Sequence, residues 1–344
     1  MDKTFSSSRG LRVFAWLTVV ATLFLICSGG MVTSKGVGLA VPDWPTTFGY
    51  NMFLFPVSKW FGGIFFEHTH RLIASIVGFL TIILASWLWK SETRRWVRNL
   101  GYAALGAVVL QGVLGGKRVT MLNDEIGIFH ACLAQLFLGM LVVIVVALSK
   151  WWRRSEGKSK TARSLASIAI VTTAIIYLQL ALGATMRHEH RDLSILDFPT
   201  ANGAWIPDTT ARALEKINAW RDARGLSDVN AFQIWLQMTH RLVAVLIAAG
   251  VITFCFRVWR DARHIPLLRR MSILWLALLF CQLTLGAWTI WSNKAADIAT
   301  AHVAVGASIF AIGVGISAVA LRLGRTNLDA PPENAFIAEK AQAI

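Results

Sequence analysis

Eight long apolar stretches constrain the fold of this 344-residue chain more than any other feature. A bilayer core of about 30 Å is crossed by about 20 apolar residues in a helix. The stretches, numbered here as spans 1 to 8, lie at 13–33, 64–89, 99–117, 126–149, 165–186, 232–256, 271–291 and 298–321. A lipid-exposed backbone must satisfy its own hydrogen bonds, and these stretches have helical length. They predict an all-α polytopic membrane protein with eight transmembrane helices.

The composition agrees with a membrane protein and excludes other classes. The chain is 55% hydrophobic and 15% charged, with a mean hydropathy of +0.55. So apolar a chain is not intrinsically disordered. Its four cysteines all fall within the spans, which argues against a disulfide-stapled secreted scaffold. The net charge of +15 would suit nucleic acid, but eight spans exclude a soluble nucleic-acid-binding protein and point to a lipid bilayer.

The positions of the basic residues predict the orientation. Eight spans place both termini on one side, and that side carries 21 of the 34 Lys and Arg residues. The positive-inside rule therefore predicts that both termini are cytoplasmic. Span 1 is longer than the apolar region of a signal peptide and lacks a small-residue cleavage site, so we expect a retained helix. Because no Arg-rich amphipathic presequence precedes it, we expect a bacterial inner membrane.

The chain contains an internal repeat. Four sequence features recur in the same order: 43–46 with 197–200, 67–72 with 237–242, 111–115 with 282–286, and His130 with His302. Four spans followed by four in the same orientation predict two parallel, pseudo-symmetric four-helix bundles. The predicted segments are a cytoplasmic N-terminus at 1–12, a bundle at 13–149, a cytoplasmic linker at 150–164, a second bundle at 165–322 and a cytoplasmic tail at 323–344.

Two outer loops, at about 34–63 and 187–231, are too long to be simple turns. Loops of this length are often functional. The second contains a short amphipathic pattern around 209–224, which predicts one additional helix.

A histidine lies near the outer end of each even-numbered span. The four are His70, His130, His240 and His302. An ionisable residue within a membrane is by default a functional candidate. Zinc sites recruit three or four ligands, and di-iron sites need additional carboxylates or histidines, whereas haem iron needs only axial ligands. We therefore expect the four imidazoles to be iron ligands of one bis-histidine haem in each half.

Arginines and small or polar residues accompany these histidines. Arg71 and Arg241 directly follow two of them, and either haem propionates or lipid headgroups suit their guanidinium groups. Glycines in spans 3, 5 and 7 permit close approach of helices or of a flat ring, and glutamines there suit hydrogen bonds between helices. The residues are Gly115, Gly116, Gly183, Gly286, Gln111, Gln179 and Gln282. The sequence assigns no role to His68, His188, His190 or His264.

The two halves differ at one informative position. Glu67 precedes His70 by one helical turn, and its counterpart is Gln237. The two side chains have nearly the same shape, but only the carboxylate exchanges a proton, so Glu67 is the candidate acid–base catalyst. A surface ion pair between Glu67 and Arg71 is the alternative. On the catalytic interpretation the N-terminal half is reactive and the C-terminal half binds a haem that passes electrons.

Together these residues resemble the haem A synthase family. The resemblance rests on Glu-His-Thr-His-Arg at 67–71, Thr-His-Arg at 239–241, histidines heading spans 4 and 8, and Asp-Trp-Pro at 43–45, and it extends over about 11–322. It implies an eight-span enzyme that oxidises the C8 methyl group of haem O to the formyl group of haem A, with water as the oxygen source, for terminal oxidases. One branch of the family has a cysteine pair in its outer loops, and this chain lacks that pair.

The resemblance also implies roles for individual residues. His240 and His302 would ligate a haem b cofactor, His70 and His130 would bind the substrate haem, and Glu67 would be the catalytic carboxylate, taking up protons as water adds. A haem O synthase is the expected donor of the substrate. The sequence identifies neither the electron acceptor nor the oligomeric state, and it is compatible with a homo-oligomer.

Two other functions remain as alternatives at this point. A bis-histidine cytochrome b that relays electrons from quinol would show the same histidine spacing, although Glu67 and the loop motifs weigh against it. A haem transporter built from parallel repeats would need a path to both sides. The polar residues instead cluster at the outer end of the spans.

Overall fold

The computed structural model describes residues 8–154, 160–189 and 193–324. Its helices are α1 (Arg9–Ser34), α2 (Gly62–Ser91), α3 (Arg95–Met121), α4 (Asp124–Leu148), α5 (Lys150–Arg154), α6 (Lys160–Glu189), α7 (Ala211–Asp222), α8 (Ala231–Asp261), α9 (Pro266–Trp291) and α10 (Ala296–Gly324). All except α5 and α7 are long and apolar enough to cross a membrane. The prediction of an all-α protein with eight spans is confirmed.

The helices extend beyond the apolar stretches because backbone hydrogen bonding continues past the membrane edge until a cap ends it. At the start of α8, the Asn230 side chain accepts a hydrogen bond from the Gln233 N–H, and the Gln233 side-chain oxygen accepts one from the Asn230 N–H. The amphipathic pattern around 209–224 forms α7, as predicted. Parts of three predicted segments, 1–7, 155–159 and 325–344, lie outside the described residues, as does His190.

Within each half, four spanning helices contact one another in a ring. The N-terminal ring is α1–α2–α3–α4, and the C-terminal ring is α6–α8–α9–α10. The halves meet where α10 contacts α1 and α4, and where α4 contacts α6. The spanning helices differ in the buried share of an apolar 18-residue window. It is 61% in α10 and 50% in α4, but only 17% in α9 and 22% in α3. Helices α4 and α10 therefore form the centre of the molecule, and α3 and α9 lie at its periphery.

The apolar core follows this arrangement. One cluster of buried apolar residues comes mainly from α1, α2, α3 and α4, and a second comes from α6, α8, α9 and α10. Ala307 and Ala311 of α10 belong to the first cluster, so the C-terminal half contributes to the core of the N-terminal half.

Two long loops lie at one end of the bundle, which we call the loop end; α5 lies at the opposite end, which we call the linker end. Loop 1 comprises residues 35–61 between α1 and α2. Loop 2 connects α6 to α8, and its described part is 193–230. Because neighbouring helices alternate in direction, α2, α4, α8 and α10 all begin at the loop end.

The Asp-aromatic-Pro-Thr motif forms a tight turn in loop 1. The Asp43 carboxylate accepts hydrogen bonds from the Thr46 hydroxyl and from the N–H groups of Phe48 (2.7 Å) and Gly49 (2.9 Å). Burial alone would raise the pKa of Asp43, but the bonds from Gly49, Thr46 and Phe48 lower it below its usual value. The turn is therefore held by an ionised carboxylate.

Loop 2 repeats this turn. The Asp197 carboxylate accepts hydrogen bonds from Thr200 Oγ1 (2.6 Å) and from the N–H groups of Asn202 (2.7 Å) and Gly203 (3.0 Å). The aromatic–proline peptide bond is cis in both turns, and Phe48 and Asn202 have positive φ angles of 50° and 53°. The repeat found in the sequence is thus also a repeat of local structure.

Candidate functional site

Each of the four candidate histidines packs against a glycine of the neighbouring helix. The pairs are His70 with Gly29, His130 with Gly115, His240 with Gly183 and His302 with Gly286. A methyl group added at these glycines would lie 2.9, 3.3, 3.4 and 3.1 Å, respectively, from the Cε1 atom of the ring. Because a side chain at any of them would press on an imidazole, the glycines leave room for the four rings at the loop end.

Three of these glycines were singled out from the sequence, and one was missed. Gly29 precedes Gly183 by the same number of residues as separates Asp43 from Asp197, so the repeat itself held the signal. Gly116, also singled out, packs against Trp44 of loop 1 rather than against a histidine.

The histidines of the C-terminal half face each other. The ring centroids of His240 and His302 are 6.4 Å apart, with 57° between the ring planes. An ion held by two imidazole nitrogens at about 2 Å from each leaves the centroids roughly 6 Å apart. The separation therefore fits a single metal ion between the rings.

In the N-terminal half, His70 of α2 and His130 of α4 lie close enough to interact electrostatically. Glutamines fix the backbone beside two of the four histidines. Gln111 Nε2 donates to the His130 carbonyl oxygen at 2.9 Å, and Gln179 Nε2 donates to that of His240 at 2.8 Å. The third, Gln282, places its Nε2 at 3.4 Å from the ring nitrogen Nε2 of His302.

The residues present fit haem better than a polynuclear or zinc site. Within the described ranges, no group of three or more His, Cys, Asp or Glu side chains is placed to hold a metal ion. The Nδ1 atoms of all four histidines are buried without a hydrogen-bond partner. Buried polar atoms left unpaired call for an explanation such as an absent ligand. Two imidazoles per half, each beside a glycine, suit a flat macrocycle with two axial ligands.

Glu67 and Gln237 both attach a long loop to a helix. The Glu67 side chain is buried; its Oε2 accepts from the Val41 N–H at 2.9 Å, and its Oε1 accepts from Arg71 Nη2 at 2.7 Å. Gln237 Oε1 accepts from the Ile195 N–H at 2.9 Å, and its Nε2 donates to the Ile195 carbonyl at 3.0 Å. The ion pair of Glu67 with Arg71 is present, and it is buried rather than on the surface.

Arg71 donates to the backbone of loop 1. Its Nη1 donates to the carbonyl oxygens of Asp43 (2.7 Å) and Thr46 (3.1 Å), and its Nη2 donates to that of Val41 (2.9 Å). The guanidinium group thus binds the loop and does not extend to lipid headgroups.

Arg241 makes the equivalent contacts with loop 2. Its Nη2 donates to the Asp197 carbonyl at 2.7 Å, and its Nη1 donates to that of Thr200 at 2.8 Å. Its Nε is buried without a partner and is the donor left for another acceptor. Pairing of Arg71 and Arg241 with haem propionates stays a prediction.

His68 belongs to the packing of loop 1. Its ring is fully buried, with centroids 5.1 Å from Phe55 and 4.7 Å from Trp60, and its Nδ1 lies 3.2 Å from Thr47 Oγ1. In the C-terminal half Met238 takes this position. His188, near the end of α6, packs against Gly127 of α4.

Two arginines near the histidines were missed from the sequence. The charge of Arg118 acts on both His70 and His130, and its guanidinium packs against Gly38 of loop 1. Arg187 donates from Nη2 to the Gly30 carbonyl at 2.8 Å and to Ser34 Oγ at 3.0 Å. Each directly follows the last residue of an apolar stretch, 99–117 or 165–186, and was therefore counted with the loops.

Arg187 lies where the two halves meet. It belongs to α6 of the C-terminal half, and its hydrogen bonds are to α1 of the N-terminal half. Its charge acts on His302, and its acceptor Gly30 is adjacent to Gly29, the glycine beside His70. A partly buried cation thus lies near both histidine pairs.

Comparisons with known proteins identify the family of this chain. The family COX15-CtaA, described as a cytochrome oxidase assembly protein, matches residues 57–314. The chain is 26% identical to the haem A synthase of Bacillus licheniformis, over 86% of this chain and 91% of that protein. It is 24% identical to the haem A synthase of Geobacillus kaustophilus, over 95% of this chain and 96% of that protein. The chain therefore belongs to the cytochrome oxidase assembly family that contains the haem A synthases.

Proposed function

We propose that the protein oxidises the C8 methyl group of haem O to the formyl group of haem A. Membership of the family supports haem A synthesis, and the observation that carries the assignment of sites is the histidine–glycine pairing in both halves. In the balanced reaction, one methyl group and one water give one formyl group, four protons and four electrons. The electrons pass to a membrane acceptor.

The N-terminal half binds the substrate. His70 and His130 take the two axial positions of the substrate iron, and Gly29 and Gly115 leave space for their rings. Arg118 supplies a positive charge beside both histidines, suited to a carboxylate of the substrate.

Glu67 moves protons in this half. Oxidation of the methyl group to an alcohol and then to a hydrated aldehyde releases protons, and the hydrated form loses water to give the formyl group. The Glu67 carboxylate accepts a proton at Oε1, the oxygen now bonded to Arg71. Arg71 also donates to three loop carbonyls, so it keeps its position when this bond is broken.

The C-terminal half carries the redox cofactor. His240 and His302, 6.4 Å apart, hold haem b, which supplies one-electron transfer when it is bound. Arg241 Nε is available to a propionate, and Arg187 places a positive charge near both this site and the substrate site. The contact of α1 with α10 joins this half to the half proposed to bind the substrate.

The proposed setting is a bacterial inner membrane with both termini cytoplasmic. The histidine pairs then lie near the outer face, and a haem O synthase supplies the substrate. The excess of basic residues at the linker end supports this orientation.

The proposal is tested by analysing the pigments of the purified full-length protein. The protein is produced in a bacterium that makes haem O but lacks its own haem A synthase, and the extracted haems are separated by chromatography. We expect haem b together with haem O or haem A, and haem A in the membranes. Haem b alone, with no haem A in the cells, would indicate the electron-relay alternative and overturn the proposal.

A further inference from the structure

A second site lies at the linker end, far from the histidines. A cavity of about 810 Å³ opens there between α4, α6 and α10, where the two halves meet. This volume falls within the range of about 300–1,000 Å³ that is usual for small-molecule sites. Neither the proposed reaction nor the repeated motifs use it.

Apolar side chains of α4, α6 and α10 line the cavity: Val143, Ile170, Val314 and Leu321. Ile170 and Leu321 are 41% and 49% exposed, so this lining is open to the surrounding bilayer. The polar groups at depth, Thr173 and Ser317, are already engaged: their hydroxyl oxygens lie 3.5 Å apart, and Ser317 donates to the Gly313 carbonyl. The interior therefore offers a surface for hydrocarbon.

The mouth of the cavity is cationic and aromatic. Among its lining residues are three arginines, Arg94, Arg153 and Arg322, against one carboxylate, Glu92. Glu92 accepts three hydrogen bonds from Arg94: from Nε at 2.9 Å, from Nη2 at 2.8 Å and from the backbone N–H at 3.0 Å. Three guanidinium groups against one carboxylate leave an excess of positive charge among the residues that line the mouth.

Two further features suit a lipid. Trp96 and Trp152 line the mouth with ring centroids 5.9 Å apart, and the Arg322 guanidinium lies 5.4 Å from the centroid of the Trp152 ring. Tryptophan is enriched at the level of lipid headgroups. Arg153 lies outside the membrane-spanning helices. Burial together with the charges of Arg94 and Arg12 lowers its pKa, although the Glu92 carboxylate acts in the opposite direction. A second anion would add to the effect of Glu92.

We infer that this cavity binds an acidic glycerophospholipid, with an acyl chain between α4, α6 and α10 and the phosphate at Arg153 and Arg322. Basic pockets between transmembrane helices on the cytoplasmic side are suited to acidic lipid headgroups. A quinone has a neutral head and gains less from a cationic mouth. The lipid would fill the seam between the two halves and thereby stabilise their contact.

Competition between two lipids tests the inference. The full-length protein is stripped of lipid, incubated with equal amounts of phosphatidylglycerol and phosphatidylcholine with identical chains, and examined by native mass spectrometry. We expect preferential retention of phosphatidylglycerol. Arg153→Gln and Arg322→Gln should each lower this preference about fivefold, the effect expected of one basic residue near a headgroup. Ala318→Phe, which fills the cavity, should lower the retention of both lipids.

Arg263→Gln is the matched control, because Arg263 is an exposed arginine of the same end, between α8 and α9, and does not line the cavity. It should leave the preference unchanged. An equal loss in Arg263→Gln and Arg322→Gln would mean that only the general charge of this end matters, and the inference would be wrong. It would also be wrong if decylubiquinone displaced the retained lipid. Unchanged haem content in each variant confirms that the protein has folded.

Discussion

Glu67 and Gln237 each hold the beginning of a long loop by accepting a hydrogen bond from a backbone N–H at 2.9 Å. Gln237 adds a second bond, from its amide to the carbonyl of the same loop residue. The C-terminal half therefore demonstrates that a glutamine is sufficient to anchor such a loop. This makes it feasible to separate the anchoring of loop 1 from proton transfer.

The first prediction concerns Glu67→Gln. We expect loop 1 to stay attached, since a glutamine at this position can accept from the Val41 N–H and donate to the Val41 carbonyl. Formation of haem A should fall about 100-fold or more, as is usual when an acid–base group is removed. Haem content, measured on the same preparation, should stay close to that of the unchanged protein, whereas thermal stability should fall because Arg71 loses its buried carboxylate partner. Haem A formation at the original rate would eliminate Glu67 as the proton carrier.

The second prediction concerns the glycines that face the histidines. Gly29→Ala brings a methyl group to 2.9 Å from the His70 ring, so the ring must move, whereas Gly183→Ala reaches only 3.4 Å from His240. Overpacking of this kind costs about 1–3 kcal/mol. We expect Gly29→Ala to reduce binding of the substrate haem strongly and Gly183→Ala to reduce cofactor content only slightly, as measured by pigment extraction.

Gly112→Ala is the control for this series, because no atom lies within 4 Å of the added methyl group. Replacing a helical glycine by alanine is otherwise stabilising by about 0.5–1 kcal/mol. Equal losses of haem in Gly29→Ala and Gly112→Ala would mean that the glycines do not shape the haem sites.

The third prediction concerns the pair His240 and His302. Replacing either by alanine should abolish the low-spin absorption spectrum of haem b, because only one axial imidazole would remain. His264→Ala, an exposed histidine at the linker end, should leave the spectrum unchanged. An unaltered low-spin spectrum in His302→Ala would assign the cofactor to other ligands.

The fourth prediction concerns Arg187 as a residue that tunes the cofactor. A cation near the iron disfavours the oxidised form, so Arg187→Gln should lower the midpoint potential of haem b, on the order of tens of millivolts. Arg187→Lys should retain most of the original value. Arg212→Gln, an exposed charge on α7, is the control. A spectroscopic redox titration in which Arg187→Gln and Arg212→Gln behave alike would contradict the placement of Arg187 beside this site.

The spans could be predicted from the sequence because hydropathy over about 20 residues has few alternative explanations. The placement of the four histidines at corresponding ends of the even-numbered spans could also be predicted, because it follows from the positions of the spans. The contacts of Arg71 and Arg241 were not, since no local pattern reveals that carbonyl groups 25 to 44 residues away in the chain would accept from them. Arg118 and Arg187 escaped notice because hydropathy ends a span where the first charge appears, although the helix continues.

Among the spanning helices that the structure describes, α10 is the last in chain order, and it contacts α1, the first. Its Ala307 and Ala311 complete the apolar core of the N-terminal half. That half therefore cannot reach its final packing while the ribosome is still translating the C-terminal half. During biogenesis the first bundle must remain in the membrane with an open side until α10 has been inserted. A chain truncated before α10 would lose more than His302: it would also leave the N-terminal half without part of its apolar core.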